Sequence, residues 1–303
     1  MPDLDVSAGG TGAGDPDGPA ARLGVRKTYK LYLNGAFPRS ESGRSYVVQA
    51  HDGSLLANAA MASRKDVRDA VVAAREAFSK WSAATAYNRG QVLYRAAEML
   101  EGRLDQFAAG VALAEGLDHG AARRAVGDAV DRLVWYAGWS DKFAQVAGSA
   151  NPVAGPYFNF SIPEPTGVVG VLAPPSSSLL GLVSVVAPVI VTGNTCVAVA
   201  SEARPLPAMA LAEVLATSDV PGGVVNVLTG RTSELAPVLA SHMDVNAVDL
   251  TGARPEEMAD LERAAAGNLK RVFARDEDWE ADPGLARMRA FVETKTVWHP
   301  LGV

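Results

Sequence analysis

The stretch VVGVLAPPSSSLL, Val168 to Leu180, sets three serines between two apolar runs. Val168 to Ala173 is short and Val-rich, which predicts a buried strand. Pro174 and Pro175 end its ladder, because neither can donate a backbone hydrogen bond. Ser176, Ser177 and Ser178 then stand where a helix begins. A strand, a tight loop and a helix N-terminus offer free N–H groups and partial positive charge, an arrangement that holds anions. The plainer reading is an N-cap with spare serines, and it is the favoured one. Other reactive side chains are sparse. Cys196 is the one cysteine; it lies in a Val/Ala-rich run, where burial raises a thiol's pKa and makes it inert. His51, His119, His242 and His299 are too widely spaced for a ligand motif.

The elements that must position this loop follow from periodicity. KLYLNGAF alternates and contains Asn-Gly, the start of a β-hairpin. SRKDVRDAVVAAREAFSKW opens on Ser63 and Asp66, a near capping box, and continues at helical spacing. One or two helices end at Gly116, and another long amphipathic helix follows. GPYFNFSIPEPTG alternates aromatic and polar residues and then meets prolines, which predicts an edge strand. From Val168 the rhythm changes. Strands are expected at Val168–Ala173, Thr195–Ala200, Val224–Leu228 and Val245–Leu250. Helices are expected between them at Leu179–Thr192, Pro207–Ala216 and Glu234–His242. Strands separated by helices mean a doubly wound parallel sheet, which places PPSSS, SEARP, LTGR and TGARP along the carboxyl rim where such sheets bind ligands. No GxGxxG is present.

Composition excludes several classes. With 48% hydrophobic and 20% charged residues, the chain reads as an ordinary soluble globular protein. Its net charge of −6, with no basic stripe, argues against nucleic acid as a partner. The longest apolar run, Leu179 to Val191, is too short to span a bilayer and contains Pro188, so no membrane is expected. A single cysteine and no signal-like leader point to the cytoplasm. Residues 1–24 are Gly-, Ala-, Asp- and Pro-rich and are expected to form a disordered tail.

Eight segments resemble, in order, the NAD(P)-dependent aldehyde dehydrogenase superfamily: KLYLNGAF, SRKDVRDAVVAAREAF, VLYRAAEMLE, YAGWSDK, EPTGVVGVLAP, APVIVTGNT, VPGGVVNVLTG and VNAVDLTG. The C-terminal ETKTVWHPLG also resembles the strand that closes such enzymes and joins their subunits. Because critical positions have changed, the chain is similar to a truncated, degenerate member of that family. The resemblance implies an α/β fold: N-terminal helices, a Rossmann-like doubly wound parallel sheet, and a small β oligomerisation element. It divides the chain into an N-terminal helical part (25–150), an oligomerisation segment (151–165), an α/β core (166–272), a linker in place of the catalytic domain (273–290) and a terminal oligomerisation strand (291–303).

The departures bear on function. The family's first loop carries Pro-Trp-Asn, whose Asn stabilises an oxyanion; here Pro175 and Ser176 follow Pro174. The family's ribose-binding Lys is replaced by Val199, leaving Glu202 alone. Its pyrophosphate-contacting Ser is replaced by Ala253. Arg275 falls where the family has its general-base Glu, and a guanidinium cannot accept a proton. The catalytic domain and its nucleophilic cysteine have no counterpart.

The resemblance therefore implies no catalytic residue, no metal, and at most a vestigial cofactor site at Glu202 and Ser176. No cofactor is expected, with NAD(P) binding only if that vestigial site still works. Taken alone, Glu202 reads as a surface carboxylate, and the acidic run Asp276 to Glu280 as a solvated surface. Phe158, Phe160, Ile162, Val297 and Trp298 are candidate interface residues, since a two-segment sheet would otherwise leave unpaired edges. The leading expectation is a non-catalytic subunit that assembles with itself or with a full-length aldehyde dehydrogenase paralogue, as scaffold or regulator. The alternatives are a cofactor-domain half completed in trans, and a sensor of a nucleotide or other anion.

Overall fold

In the order in which the chain runs, β1 (Thr28–Tyr29), β2 (Ser45–Gln49) and β3 (Leu55–Ala60) form a small sheet with order β1-β3-β2. These assignments come from a computed structural model, which describes residues 26–275 and 277–302. The tail expected over residues 1–24 lies outside the described residues. Between β1 and β2, Leu33 and Ala36 exchange two backbone hydrogen bonds of 2.9 Å across Asn34-Gly35. Those two residues have φ of 49° and 76°, the left-handed pair that a two-residue hairpin turn requires. The hairpin is only a few residues long. Tyr32 passes beyond it to bridge Val227 on the main sheet.

Helices α1 (Arg64–Ala83), α2 (Ala86–Glu101), α3 (Leu104–Glu115) and α4 (His119–Trp139) follow. The start of α1 is the capping box legible in the sequence: Ser63 Oγ accepts from Lys65 and Asp66, and Asp66 accepts from the Ser63 N–H at 2.7 Å. Gly116 ends α3 in the left-handed conformation. Short α5 (Phe143–Ala147) leads to β4 (Ser149–Asn151) and β5 (Tyr157–Pro165).

The core alternates from there: β6 (Val168–Leu172), α6 (Leu180–Val191), β7 (Thr195–Val199), α7 (Leu206–Leu215), β8 (Val225–Leu228), α8 (Thr232–Ser241), β9 (Ala247–Asp249), α9 (Pro255–Ala266) and β10 (Arg271–Phe273). All five strands are parallel, in the order β10-β9-β6-β7-β8. Strand order reverses between β6 and β9, the switch point at which such sheets form a crevice. Side chains alternate as a sheet requires. Val169, Val171, Cys196, Ala198, Val225 and Val227 pack against α4, α6 and α7. Val168, Leu172, Val197, Val199, Leu228 and Val248 pack against α1, α8 and α9. All twelve residues of α6 are buried. The apolar run 179–191 is thus the central core helix.

Residues 277–290 fold back onto the α6 face through α10 (Ala286–Ala290). Met288 and Phe291 are fully buried there. The guanidinium of Arg287, 2% exposed, donates to fully buried Asp249, and to Glu277 at 2.8 Å. It also stacks on Phe273, 4.5 Å from the ring centroid. Burial pulls its pKa down to about 10, so it remains charged at neutral pH. Arg132 donates to the carbonyls of Trp279 (2.7 Å) and Ala281 (3.0 Å), pinning the same segment. Of the acidic run expected on a solvated surface, Asp278 and Glu280 are exposed. Glu277 is instead half-buried, because it completes the coordination of Arg287.

The third sheet has the order β11-β5-β4, with β11 (Val292–Pro300) paired to β5 at nine positions. This corrects the expected edge position of GPYFNFSIPEPTG: β5 is the middle strand. Its prolines are tolerated because β4 pairs only with residues 159–161 and leaves that side of Pro163 and Pro165 open. At the base of β11, Glu293 accepts two hydrogen bonds of 2.6 Å from Arg271 and one of 2.9 Å from Thr166.

Two predictions follow from these pairs. Arg287→Met leaves Asp249 charged and buried, so urea unfolding is expected to show a loss of about 3–5 kcal/mol. Adding Asp249→Leu is expected to recover much of that loss, giving a coupling well outside additivity. The hydrogen bonds from Arg271 hold the Glu293 pKa at about 2, below its ordinary value of 4.5. A carboxylate with a depressed folded pKa stabilises the fold above its unfolded pKa and loses that contribution as pH falls towards the folded one. The stability gap between wild type and Glu293→Gln is therefore expected to be constant above pH 4.5 and to close towards pH 2, as read from denaturant midpoints.

Candidate functional site

The carboxyl ends of β6, β7, β8 and β9 open into a cleft of about 770 Å³. One wall comes from the β2 hairpin, where Tyr46 and His51 line it. The other comes from the loops after the strands, which bring Pro175, Ser201, Glu202, Arg204, Arg231, Thr232, Gly252 and Arg254 to the rim. At the switch point the crevice is closed by a hydrogen bond from the Gly252 N–H to the Leu172 carbonyl (3.0 Å). A side chain at 252 would overlap the backbone at Ala173, so only glycine fits.

The serine loop does cap the helix, but from two residues before the cap position. Leu179 occupies the cap position and makes no side-chain cap bond. Ser177 Oγ instead accepts from the Gly181 N–H, one turn in (2.9 Å). Ser178 donates from both backbone and hydroxyl to Glu115 (2.6 and 2.5 Å), which ties the loop to α3. Ser176 is exposed, does not line the cleft, and accepts at its carbonyl from Arg204 (2.9 Å). Two of the three serines therefore have structural partners.

Glu202 does reach the cleft, but as a helix cap. Its carboxylate accepts from the Thr232 N–H at the start of α8 (3.1 Å). Val199 points into the core and is 1% exposed. Ala253 carries only a methyl at the β9 loop. Cys196 is fully buried, and burial raises its pKa to about 12. Arg275 is exposed. Among the described residues, no group of His, Cys, Asp and Glu is placed to hold a metal ion, and no helix is long and apolar enough to cross a membrane.

Sequence reasoning missed the arginines. Arg204 directly precedes the cap of α7, and Arg231 and Arg254 are themselves the caps of α8 and α9. Their signal was present: a cation is a poor partner for a helix N-terminus, whose dipole is positive. Three of them after three successive strands of one sheet is a pattern that spacing alone could have shown. Tyr46 was also missed, because its strand lies more than a hundred residues upstream of the sheet.

The candidate interface residues divide by strand register. Phe158, Phe160 and Ile162 share one face of the third sheet with Val297, which is paired to Phe160. Trp298 is paired to Asn159 and lies on the opposite face, in edge contact with Tyr157 (5.8 Å). Between these two aromatics and the body runs a polar ladder: Asn151 donates to Asn159 (2.6 Å) and Ser161 (2.9 Å), and Ser161 meets Thr296 (2.9 Å). Phe158 and Trp298 are half or more exposed, at 50% and 59%.

A doubly wound parallel sheet with a cleft at its carboxyl rim, beside a separate three-stranded sheet, defines a Rossmann-like α/β fold. The match to known proteins is narrower. Residues 37–275 match the aldehyde dehydrogenase family, and the chain belongs to that family. It is 35% identical over 248 residues to an aldehyde dehydrogenase of Davidiella tassiana, covering 80% of this chain and 49% of that one. It is 32% identical over 260 residues to the cytosolic 10-formyltetrahydrofolate dehydrogenase of Xenopus tropicalis, covering 82% of this chain and 28% of that protein. The structure of a Bacillus cereus aldehyde dehydrogenase in complex with NAD+ superposes with a TM-score of 0.77 at 27% identity, over 82% of this chain and 50% of that one. The chain thus spans half or less of the length of these relatives.

The burial of Cys196 makes a direct prediction. With a pKa near 12, on the order of 10⁻⁴ of the thiol is ionised at pH 8, and none of it meets solvent. A thiol-reactive chromophore is expected to leave the native chain unlabelled at pH 8 and to label one site per chain in denaturant. Rapid native labelling would count against an inert core cysteine.

Proposed function

We propose that this chain is a non-catalytic aldehyde dehydrogenase-like subunit. It assembles with itself or with a full-length aldehyde dehydrogenase, in the cytoplasm, as scaffold or regulator. The observation that carries this reading is the β11-β5-β4 sheet. It presents Phe158, Tyr157 and Trp298 to solvent, and the outer edge of β11 has no strand neighbour among the described residues. Exposed aromatics beside an open strand edge are the features of a surface that pairs with another chain.

The chemistry of the rest supports the same reading. Arg275 stands at the position that the family resemblance gives to the general base, and the chain's one cysteine is buried in β7. An exposed guanidinium cannot take a proton, and a buried thiol cannot attack an aldehyde. The chain keeps the pieces that assemble and has changed the pieces that react.

The test is mass by light scattering, on the chain alone and after co-expression with the most similar full-length dehydrogenase of the same genome. A homo-oligomer or a stable mixed complex is expected. Phe158→Lys with Trp298→Lys is expected to reduce it to the monomer while leaving the melting temperature within a few degrees, because both side chains are on the surface. A monomer that ignores the dehydrogenase would overturn the proposal.

A further inference from the structure

The longest strand edge without a neighbour among the described residues is the outer edge of β11. It runs over nine residues, of which seven are exposed. The other edge strands, β1, β2, β4, β8 and β10, have five residues or fewer. The pairing of β11 with β5 keeps one register throughout, whereas β2 is irregular at Val48/Gln49. An edge this long and regular is a template for another strand unless something blunts it. The charge that could blunt it is turned aside, since Lys295 donates to Glu164 on β5 (2.8 Å).

The bonds that flank the strand fix which backbone groups face out. The Phe291 carbonyl accepts from the Thr166 N–H (3.2 Å), and the Leu301 N–H donates to the Pro156 carbonyl (2.8 Å). Both ends thus turn odd-numbered residues towards β5, and direction alternates along an antiparallel ladder. Val292, Thr294, Thr296 and Trp298 therefore point N–H and C=O outwards, and Pro300 offers only a carbonyl. These residues fit a second copy of themselves. Across a two-fold axis, outward groups meet outward groups only when the axis passes through a residue. With the axis at Thr296 the whole strand pairs. Thr296 faces itself, Thr294 faces Trp298, Lys295 faces Val297, and Glu293 faces His299. Val292 then donates to the Pro300 carbonyl. Trp298 on Thr294 is a favourable aromatic–β-branched pair. Glu293, though bonded to Arg271 and Thr166, keeps its side chain 55% exposed and free to meet an imidazole. An axis at Lys295 would set two ammonium groups directly opposite, which destabilises a sheet. An axis at Thr294 or Val297 would leave residues 297–300 or 292–293 unpaired. The order of charges in VETKTVWHP thus selects one register.

We propose that two copies of this chain pair antiparallel along β11, about a two-fold axis at Thr296, joining their three-stranded sheets into one. The proposal rests on the assembly reading above and names the partner as a second copy. The test is disulfide capture on the full chain, with light scattering on the same samples. A residue that faces itself in a hydrogen-bonded pair has Cα atoms about 5.5 Å apart, within reach of a disulfide. Cys196 is buried and does not compete. Under mild oxidation Thr296→Cys is expected to give a covalent dimer at least tenfold faster than Lys295→Cys or Val297→Cys. T294C/W298C is expected to be captured as well, and Thr294→Cys alone is not. Thr294→Pro removes an outward N–H and no bond within the sheet, and is expected to weaken the dimer at least tenfold. Capture at 295 as fast as at 296 overturns the pairing, as does an unweakened dimer in Thr294→Pro. An oligomer, or a complex with the full-length dehydrogenase, in which Thr296→Cys is not captured overturns it and leaves the assembly reading standing. A monomer that ignores the dehydrogenase overturns both.

Discussion

A parallel sheet must be covered on both faces, and everything else in this fold answers that requirement. The alternation of Val168 with Val169 and of Cys196 with Val197 sends side chains to two cores. Helices α1, α8 and α9 close one of them. On the other face α4, α6 and α7 cover most of the sheet but not its β9–β10 end. Residues 277–291 complete the cover there, through Met288 and Phe291. In a chain about half the length of its relatives, this segment provides a cover within the chain itself.

That cover is held by charge as well as by apolar area. Asp249 ends β9 in a position that would suit an apolar residue, and Arg287 comes 38 residues later to meet it. A buried ion pair of this kind adds little net stability but tolerates no single loss. It therefore specifies one docking of the segment over others. Asn194 acts similarly, bonding the Gly167 N–H and the Phe291 carbonyl (both 2.8 Å) and so joining β6, β7 and the start of β11. The third sheet is thereby fixed to the core at its base, while its aromatic side chains stay free.

The same architecture separates the shape of the cleft from its chemistry. The sheet, the switch point and Gly252 fix the shape of the rim, and they are backbone features. What the rim binds is set by a few side chains at the loop tips. Val199 and Ala253, at positions where the family resemblance expects Lys and Ser, and the three rim arginines leave the backbone scaffold intact.

The sequence by itself determined the elements and their family. The Ser63–Asp66 capping box, the Asn34-Gly35 turn, the left-handed Gly116 and the strand–helix rhythm from Val168 are local, and local chemistry is written in adjacent residues. The burial of Cys196 was legible for the same reason. Tertiary structure decided the rest, because it rests on contacts between residues far apart in the chain. The serines of the first loop gave a cap signal, which Ser177 fulfils, but Glu115, sixty-three residues away, took Ser178. The prolines of β5 signalled an edge, yet β11 pairs along the whole strand and β4 stops short of them. Glu277 looked like a solvated acid until Arg287 folded under it. The cleft was the least legible feature, since Tyr46 and the three arginines come together only when the β2 hairpin packs beside the rim of the sheet.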